Sequence, residues 1–128
     1  MERSPWKIGR EEAIVPVAIP NHISVIKCAT FVTGPYATAL LADLGARVIK
    51  IESAPEGDRY RYFAPDPYFS FNFAHLNRNK ESLILDPKAP EETAICLELA
   101  KKANVFVKNF RPGAAVGDLQ SRGVTKAL

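Results

Sequence analysis

Only two cysteines, two histidines, one methionine and one tryptophan occur among the 128 residues of this chain. Cys28 and Cys96 stand far apart at neither metal-ligand nor redox spacing, which argues against a zinc site, a CxxC redox centre or a disulfide scaffold. Two buried, reduced thiols in a cytosolic setting are the expectation. His22 and His75 have no partner at catalytic or metal spacing, so a structural or surface role is read for both. No apolar run approaches the roughly 20 residues that cross a bilayer. The opening stretch MERSPWKIGREE mixes both charges without an apolar core and is not read as a signal peptide. GxGxxG and Walker loops are missing, which weakens NAD and ATP readings from the outset. Ser-His-Asp order, a Cys-His pair, repeats and low-complexity tracts are missing as well. An excess of one charge is also lacking. Seventeen Lys and Arg against fourteen Asp and Glu leave a net charge of +3. The bases alternate with acids instead of forming a stripe, so a nucleic-acid partner is not expected.

What is present reads as one folded domain. A hydrophobic fraction of 47% with 24% charged residues argues against disorder. Residues 1–22, with Pro5, Pro16 and Pro20, form an extended arm, and residues 23–128 the domain proper. ISVIKCATF, from Ile23 to Phe31, is apolar and β-branched, as a strand covered on both faces requires. Thr33-Gly34-Pro35 breaks it, and Pro35 suits a first helical turn, where its missing N–H costs nothing. Ala37, Leu40, Leu41 and Leu44 then form an apolar stripe at helical spacing, and Gly45 suits the C′ position. RVIKIE, Arg47 to Glu52, returns as a second strand, so a right-handed parallel crossover is expected.

Ser53 to Asp58 is a loop on composition. Seven of the twelve aromatic residues fall between Tyr60 and Phe73, interleaved with Pro65 and Pro67. This segment reads as irregular or briefly helical, and its rings need an apolar partner. A third strand is expected over Ser82 to Asp86. Pro90 then opens a helix to Ala103, with Glu91 and Glu92 in its first turn and Lys101 and Lys102 in its last, as the macrodipole favours. Ile95, Leu99 and Ala103 are its expected buried line, flanked by Cys96 and Ala100. NVFVKNF, Asn104 to Phe110, is the fourth strand, closed by Arg111-Pro112-Gly113. The sum is an α/β fold with a parallel sheet. Four strands and two clear helices cannot cover both faces, so the chain reads as the N-terminal piece of something larger or as part of an intimate oligomer.

In open α/β sheets ligands bind beyond the carboxyl ends of the strands. Val32 to Pro35, Ser53 to Asp58 and Asn109 to Gly113 lie there. Gly34 allows close approach to the backbone, and the helix it opens offers N–H groups to a phosphate. Arg111 has the fork that binds phosphate bidentately. Each taken alone is equally a plain strand–helix turn or a braced corner. Arg78 and Lys80 alone are a solvated charged turn. Asp43, Glu52, Asp58 and Asp86 are scattered, each with a capping or surface explanation.

The order of the pieces is more telling. GPYATALLADLGARVIKIE, then LNRNKESLILD, then ANVFVKNFRPG resembles the N-terminal part of the class III CoA-transferases, roughly from Ile23 to Gly113. This is the CaiB/BaiF family, which includes formyl-CoA transferase and is related to α-methylacyl-CoA racemase. The resemblance implies a Rossmann-like domain, a homodimer of interlocked subunits, and CoA transfer between carboxylic acids. CoA thioester and acid are the substrates, and no metal or permanently bound cofactor takes part. An aspartate attacks the acyl-CoA to form a mixed anhydride, and the freed CoA thiolate then makes an enzyme thioester. The racemase branch instead shuttles an α-proton between a His and an Asp.

Carried onto this sequence, the backbone at Val32 and Thr33 lines the CoA site. Leu85, Asp86 and Lys88 match the stretch that cradles adenine and ribose, and Asn109, Phe110 and Arg111 border the pantetheine and phosphates. Three departures stand out. Lys27 occupies a place where the family usually carries an acidic residue. Gly117 stands about where an arginine that binds a CoA phosphate is expected, with Arg122 as a displaced substitute. The catalytic aspartate of the family falls beyond Leu128. A CoA-binding portion without turnover of its own is therefore expected, in a cytoplasmic, mitochondrial or peroxisomal setting. A racemase-like member and a non-catalytic interaction fragment are the alternatives.

Overall fold

The computed structural model describes residues 18–20, 22–63, 69–86 and 89–109. Four strands and three α-helices follow one another: β1 (Ser24–Cys28), α1 (Thr33–Asp43), β2 (Arg47–Ser53), α2 (Phe71–Asn77), β3 (Lys80–Leu85), α3 (Pro90–Lys102) and β4 (Val105–Lys108), with a 3₁₀ turn at Arg59–Tyr62 between β2 and α2. The strands pair in the order β3-β2-β1-β4 and every pairing is parallel. The chain thus steps outward from β1 to β3 and returns to the other side of β1. A right-handed crossover in each direction puts α1 and α3 on opposite faces.

Side-chain alternation along the strands sorts these faces. Ile26, Cys28 and Leu85 pack with Cys96 of α3, and Ile49, Ile51, Leu83 and Phe106 join them. Val25 and Val48 pack with Ala42 and Ala46 on the α1 side. Cys28 and Cys96 meet on the α3 side, both buried, with their Sγ atoms 4.0 Å apart. Nothing in their spacing announced that contact.

Two helix faces differ from the sequence reading. In α1 the buried residues are Gly34, Pro35, Thr38, Ala39 and Ala42, whereas Leu40 is 43% exposed. The helix lies so close to β1 that a Cβ on Gly34 would stand 2.4 Å from the Ala29 Cβ. Only small side chains fit such an approach, so Ala37 and Leu40 face outward, while Leu41 packs at the margin of the α1-side core. In α3 the fully buried positions are Cys96 and Ala100, with Leu97, Leu99 and Ala103 beside them, while Ile95 is exposed. Strand bounds also differ. β1 stops at Cys28 because Phe31 takes a left-handed φ of 62°, and β3 begins at Lys80, two residues before the expected start.

The aromatic segment divides into the 3₁₀ turn and α2. Asp58 caps the turn by accepting from the Tyr60 N–H, and Ser70 caps α2 by accepting from the Phe73 N–H. Tyr60 is buried between Phe31 and Phe63, with ring centroids 5.7 and 5.8 Å away. Tyr62, Phe63, Phe69 and Phe71 remain exposed.

Candidate functional site

β1 and β4 are neighbours whose connections leave in opposite directions, which makes their carboxyl ends the switch point where open α/β sheets bind ligands. Asn109 closes that end. Its Oδ1 accepts from the Thr30 N–H at 3.0 Å, and its Nδ2 donates to the Thr30 carbonyl at 2.8 Å. The side-chain amide thereby extends the ladder between the two strands by one step and holds the corner after β4 against the bend after β1. Asn104 does the same at the amino end, where it accepts from the Ser24 N–H at 2.9 Å and donates its own N–H to the Ser24 carbonyl at 2.9 Å.

Val32 and Thr33, the next residues along the bend, are exposed. Val32 is the N-cap of α1 and caps it with no side-chain hydrogen bond, and the first turn has no acidic residue. The partial positive charge of the helix start thus faces the carboxyl edge uncompensated. Leu85 and Asp86 lie at the same edge but beyond β2, where the Leu85 carbonyl accepts from the Ala54 N–H at 2.9 Å. Two strand spacings, roughly 10 Å, separate them from β1. The Asp86 N–H donates to the Glu92 carboxylate at 2.6 Å. Lys88, Phe110 and Arg111, together with Gly117 and Arg122, lie outside the described residues.

A cavity of about 660 Å³ opens between the bend and the loop after β2. Thr30 and Phe31 of the bend line it, together with Ser53 and Gly57 of the loop after β2 and Arg59 and Tyr62 of the 3₁₀ turn. Gly57 has a φ of 78°, and a Cβ there would come within 2.8 Å of a Glu52 carboxylate oxygen, so this loop requires glycine on both counts.

Beneath the loop lies a buried charge network that sequence reasoning left as scattered residues. Glu52 receives Arg61 through two bonds of 2.7 and 2.8 Å, the Asp58 N–H at 2.8 Å and the Ser82 hydroxyl at 2.7 Å. Burial opposes its ionisation, but Arg61, the Asp58 N–H, Ser82 and Lys50 outweigh it and hold the carboxyl at about 2. Lys50 pairs with Asp58 at 2.5 Å. Phe73 of α2 lies against both cations of this network, 4.8 Å from Lys50 Nζ and 4.0 Å from the Arg61 guanidinium carbon. The strand period was the signal available. Alternation puts Lys50 and Glu52 on the face of Val48, and Lys27 on the face of Val25.

Lys27 is wholly buried and donates to Asn77 Oδ1 at 2.9 Å. Burial first, then Lys50 and Lys80, lower its pKa to about 6. Lys80 donates to the Pro35 and Leu76 carbonyls at 2.7 and 2.6 Å, and Arg78 pairs with Asp43. Arg78 and Lys80 are therefore braces that tie α1 to α2 and β3.

A family model described as CoA-transferase family III matches residues 21–121. Among curated proteins, the chain is 45% identical over 98 residues to acetyl-CoA:oxalate CoA-transferase of Acetobacter aceti, covering 73% of this chain and 24% of that protein. It is 39% identical over 94 residues to the succinyl-CoA:glutarate CoA-transferase of Mus musculus, covering 71% and 21%. Among solved structures, a CaiB/BaiF family protein from Brucella suis superposes with a TM-score of 0.65 at 34% identity, over 79% of this chain and 27% of that one. A hypothetical protein from Mycobacterium tuberculosis gives a TM-score of 0.72 at 34% identity, over 84% and 31%. The chain spans between a fifth and a third of the length of these relatives.

Proposed function

This chain belongs to CoA-transferase family III, and from that membership we propose that it supplies the coenzyme A-binding portion of an enzyme that moves CoA between carboxylic acids. The observation that carries the proposal is the Asn109–Thr30 clamp, which ties the third motif segment to the bend that leads into the first, at the switch point of the sheet. In this reading the backbone at Val32 and Thr33 lies along the CoA chain. Leu85, Asp86 and Lys88 receive adenine and ribose, and Asn109, Phe110 and Arg111 border the pantetheine and phosphates. CoA enters as substrate and leaves as product. The domain would be Rossmann-like and begin near Ile23, after an arm over residues 1–22; the start of the family match at residue 21 supports that division.

The residues in hand bind and orient. Asp43, Glu52 and Asp58 are each committed to a cation, which argues against any of them as the attacking carboxylate. We assign attack on the acyl-CoA, the mixed anhydride and the enzyme thioester to an aspartate in the portion of the relatives that this chain does not match. A homodimer is proposed with it, supported by the exposed rings at Tyr62, Phe63, Phe69 and Phe71. Among the described residues no helix is long and apolar enough to cross a membrane. A cytoplasmic setting is our reading, and the two free thiols agree with it.

The experiment is a thermal melt of the chain with and without CoA. A ligand at a hundredfold excess over its Kd adds about 2.7 kcal/mol to folding stability, so millimolar CoA raises the melting temperature measurably. Arg111→Ala reduces the gain. No shift up to that concentration removes the binding claim. Measurable exchange between an acyl-CoA and a free acid, catalysed by the 128 residues alone, would show that the nucleophile has been misplaced.

A further inference from the structure

Cys28 closes β1 and Cys96 lies midway along α3, yet across a separation of 68 residues their Sγ atoms stand 4.0 Å apart in hydrogen-bonding contact. Both thiols are free and buried. Their surroundings are apolar, with Ile26 and Leu85 packed in the same cluster and Leu97 and Phe106 alongside. Among the described residues no group of three or more His, Cys, Asp or Glu side chains could hold a metal ion, so the pair is not two ligands of a larger site. Both cysteines also lie outside the three motif segments and have no part in the proposed CoA site.

A disulfide sets its sulfurs about 2.05 Å apart, so closure here asks for roughly 2 Å of approach. Rotation of a side chain between staggered wells moves its sulfur by that order. The two thiols are unequal. Their mutual hydrogen bond holds Cys96 below the usual thiol range, against the effect of burial, and pushes Cys28 up, with burial adding to the rise. Cys96 is thus the sulfur that attacks, and Cys28 the one that resolves.

We propose that Cys28 and Cys96 are a peroxide-sensitive dithiol, a modification site at which oxidation staples β1 to α3 through an intramolecular disulfide. The oxidant is hydrogen peroxide, which is small enough to reach a packed core through local openings that exclude a bulky disulfide reagent. The Cys96 thiolate attacks one peroxide oxygen. The O–O bond breaks, and the departing hydroxide takes up the Cys96 proton and leaves as water. The Cys28 sulfur then attacks the sulfur of the resulting sulfenic acid. An S–S bond forms as the S–O bond breaks, and the second hydroxide carries off the Cys28 proton as water. Two thiols are oxidised and one peroxide is reduced to two waters. Nothing in this chemistry depends on the CoA reading. Cys28 lies two residues before Thr30, so the staple fastens the strand end from which the bend departs. A link across 68 residues also removes freedom from the unfolded chain.

The test treats the full chain with millimolar hydrogen peroxide, quenches it with catalase, then unfolds, alkylates and weighs it by mass spectrometry. Loss of two hydrogens, no alkylation and a peptide pair joining Cys28 to Cys96 are expected, and a dithiol reductant restores both alkylatable cysteines. The oxidised protein should melt roughly 10 °C or more above the reduced one. Cys28→Ser, left without a resolving thiol, stops at a Cys96 sulfenic acid that dimedone traps, whereas Cys96→Ser leaves Cys28 unmodified. Cys28→Ala and Cys96→Ala replace the serine variants should those fail to fold. Two alkylatable thiols after treatment, oxidation that ends at sulfinic acid, or a bond only between chains overturns the proposal. A disulfide that forms but fails to raise the melting temperature overturns the staple in the native core.

Discussion

Lys27 shows what a single side chain can cost. Its ammonium position is buried, its one hydrogen-bond partner is the neutral Asn77 amide, and Lys50 stands beside it in register on the next strand. The folded protein holds this amine at about 6, while the unfolded chain keeps it near 10.4. Between those values the unfolded state binds a proton that the folded state does not. Stability therefore rises with pH through this window, by up to about 1.4 kcal/mol per pH unit, and levels off below 6. Lys80, lowered to about 8 by burial and then by Lys50 and Arg78, adds to the slope above that value. Urea unfolding at pH 6, 8 and 10 checks this. Lys27→Met is expected to exceed wild type at pH 6 and to show a flatter dependence; identical slopes for the two proteins would refute it.

Glu52 has the opposite sign. Its carboxyl is depressed to about 2, so its contribution is complete above about 4.3 and is lost as pH falls toward 2. Glu52→Gln removes the carboxylate from the part-exposed Arg61 and leaves Lys50 with Asp58 alone, and costs roughly 1–3 kcal/mol at pH 7. At pH 2 the two proteins differ much less. A variant as stable as wild type at pH 7 would mean that the network adds nothing. None of these partners was legible from the residues alone. Strand alternation would have given their face, but which strands stand side by side is a long-range matter.

At the scale of elements, reading was more successful, and its errors have a common cause. Runs of β-branched residues located β1, β2 and β4, because strands buried on both faces must be apolar throughout. The charges at the ends of α3 marked that helix. The face of α1 was misread because large apolar residues were taken as the buried ones. Contact between this helix and the sheet is instead governed by approach distance, and Gly34 on Ala29 sets it. Gly34→Ala forces two backbone-fixed Cβ atoms together at 2.4 Å, so the start of α1 must shift. Overpacking of this kind costs about 1–3 kcal/mol. The CoA-induced rise in melting temperature should shrink as well, because the helix start no longer faces the corner. A variant that melts and responds to CoA like wild type would remove the close-approach argument.

At the scale of the whole molecule, the surface is more apolar than its parts require. Phe71 is 80% exposed, and Phe63 and Tyr62 are 66% and 60% exposed. β3 stands at one edge of the sheet with Ile84 half exposed, and β4 at the other with no fully buried residue. Patches of this sort mark interaction surfaces or ligand-binding grooves, and the homodimer proposed above would cover this one. Sedimentation is therefore expected to report a species heavier than the 14.1 kDa monomer at micromolar concentration, and Phe71→Ser to shift it toward monomer. A monomer across the accessible range would count against the dimer. The incompleteness itself was legible beforehand, since counting strands against helices already left faces uncovered.

By itself the sequence determined the kind and order of the elements, the parallel α/β class and the family, because periodicity, turn residues and ordered motifs are local properties. Only the tertiary structure decided that β4 returns beside β1, that Asn109 grips Thr30, that Cys28 meets Cys96 and that Arg59 is left facing a cavity. The reason is physical. Those contacts follow from the hand of each crossover and the register of strands far apart in the chain, and no local pattern encodes either.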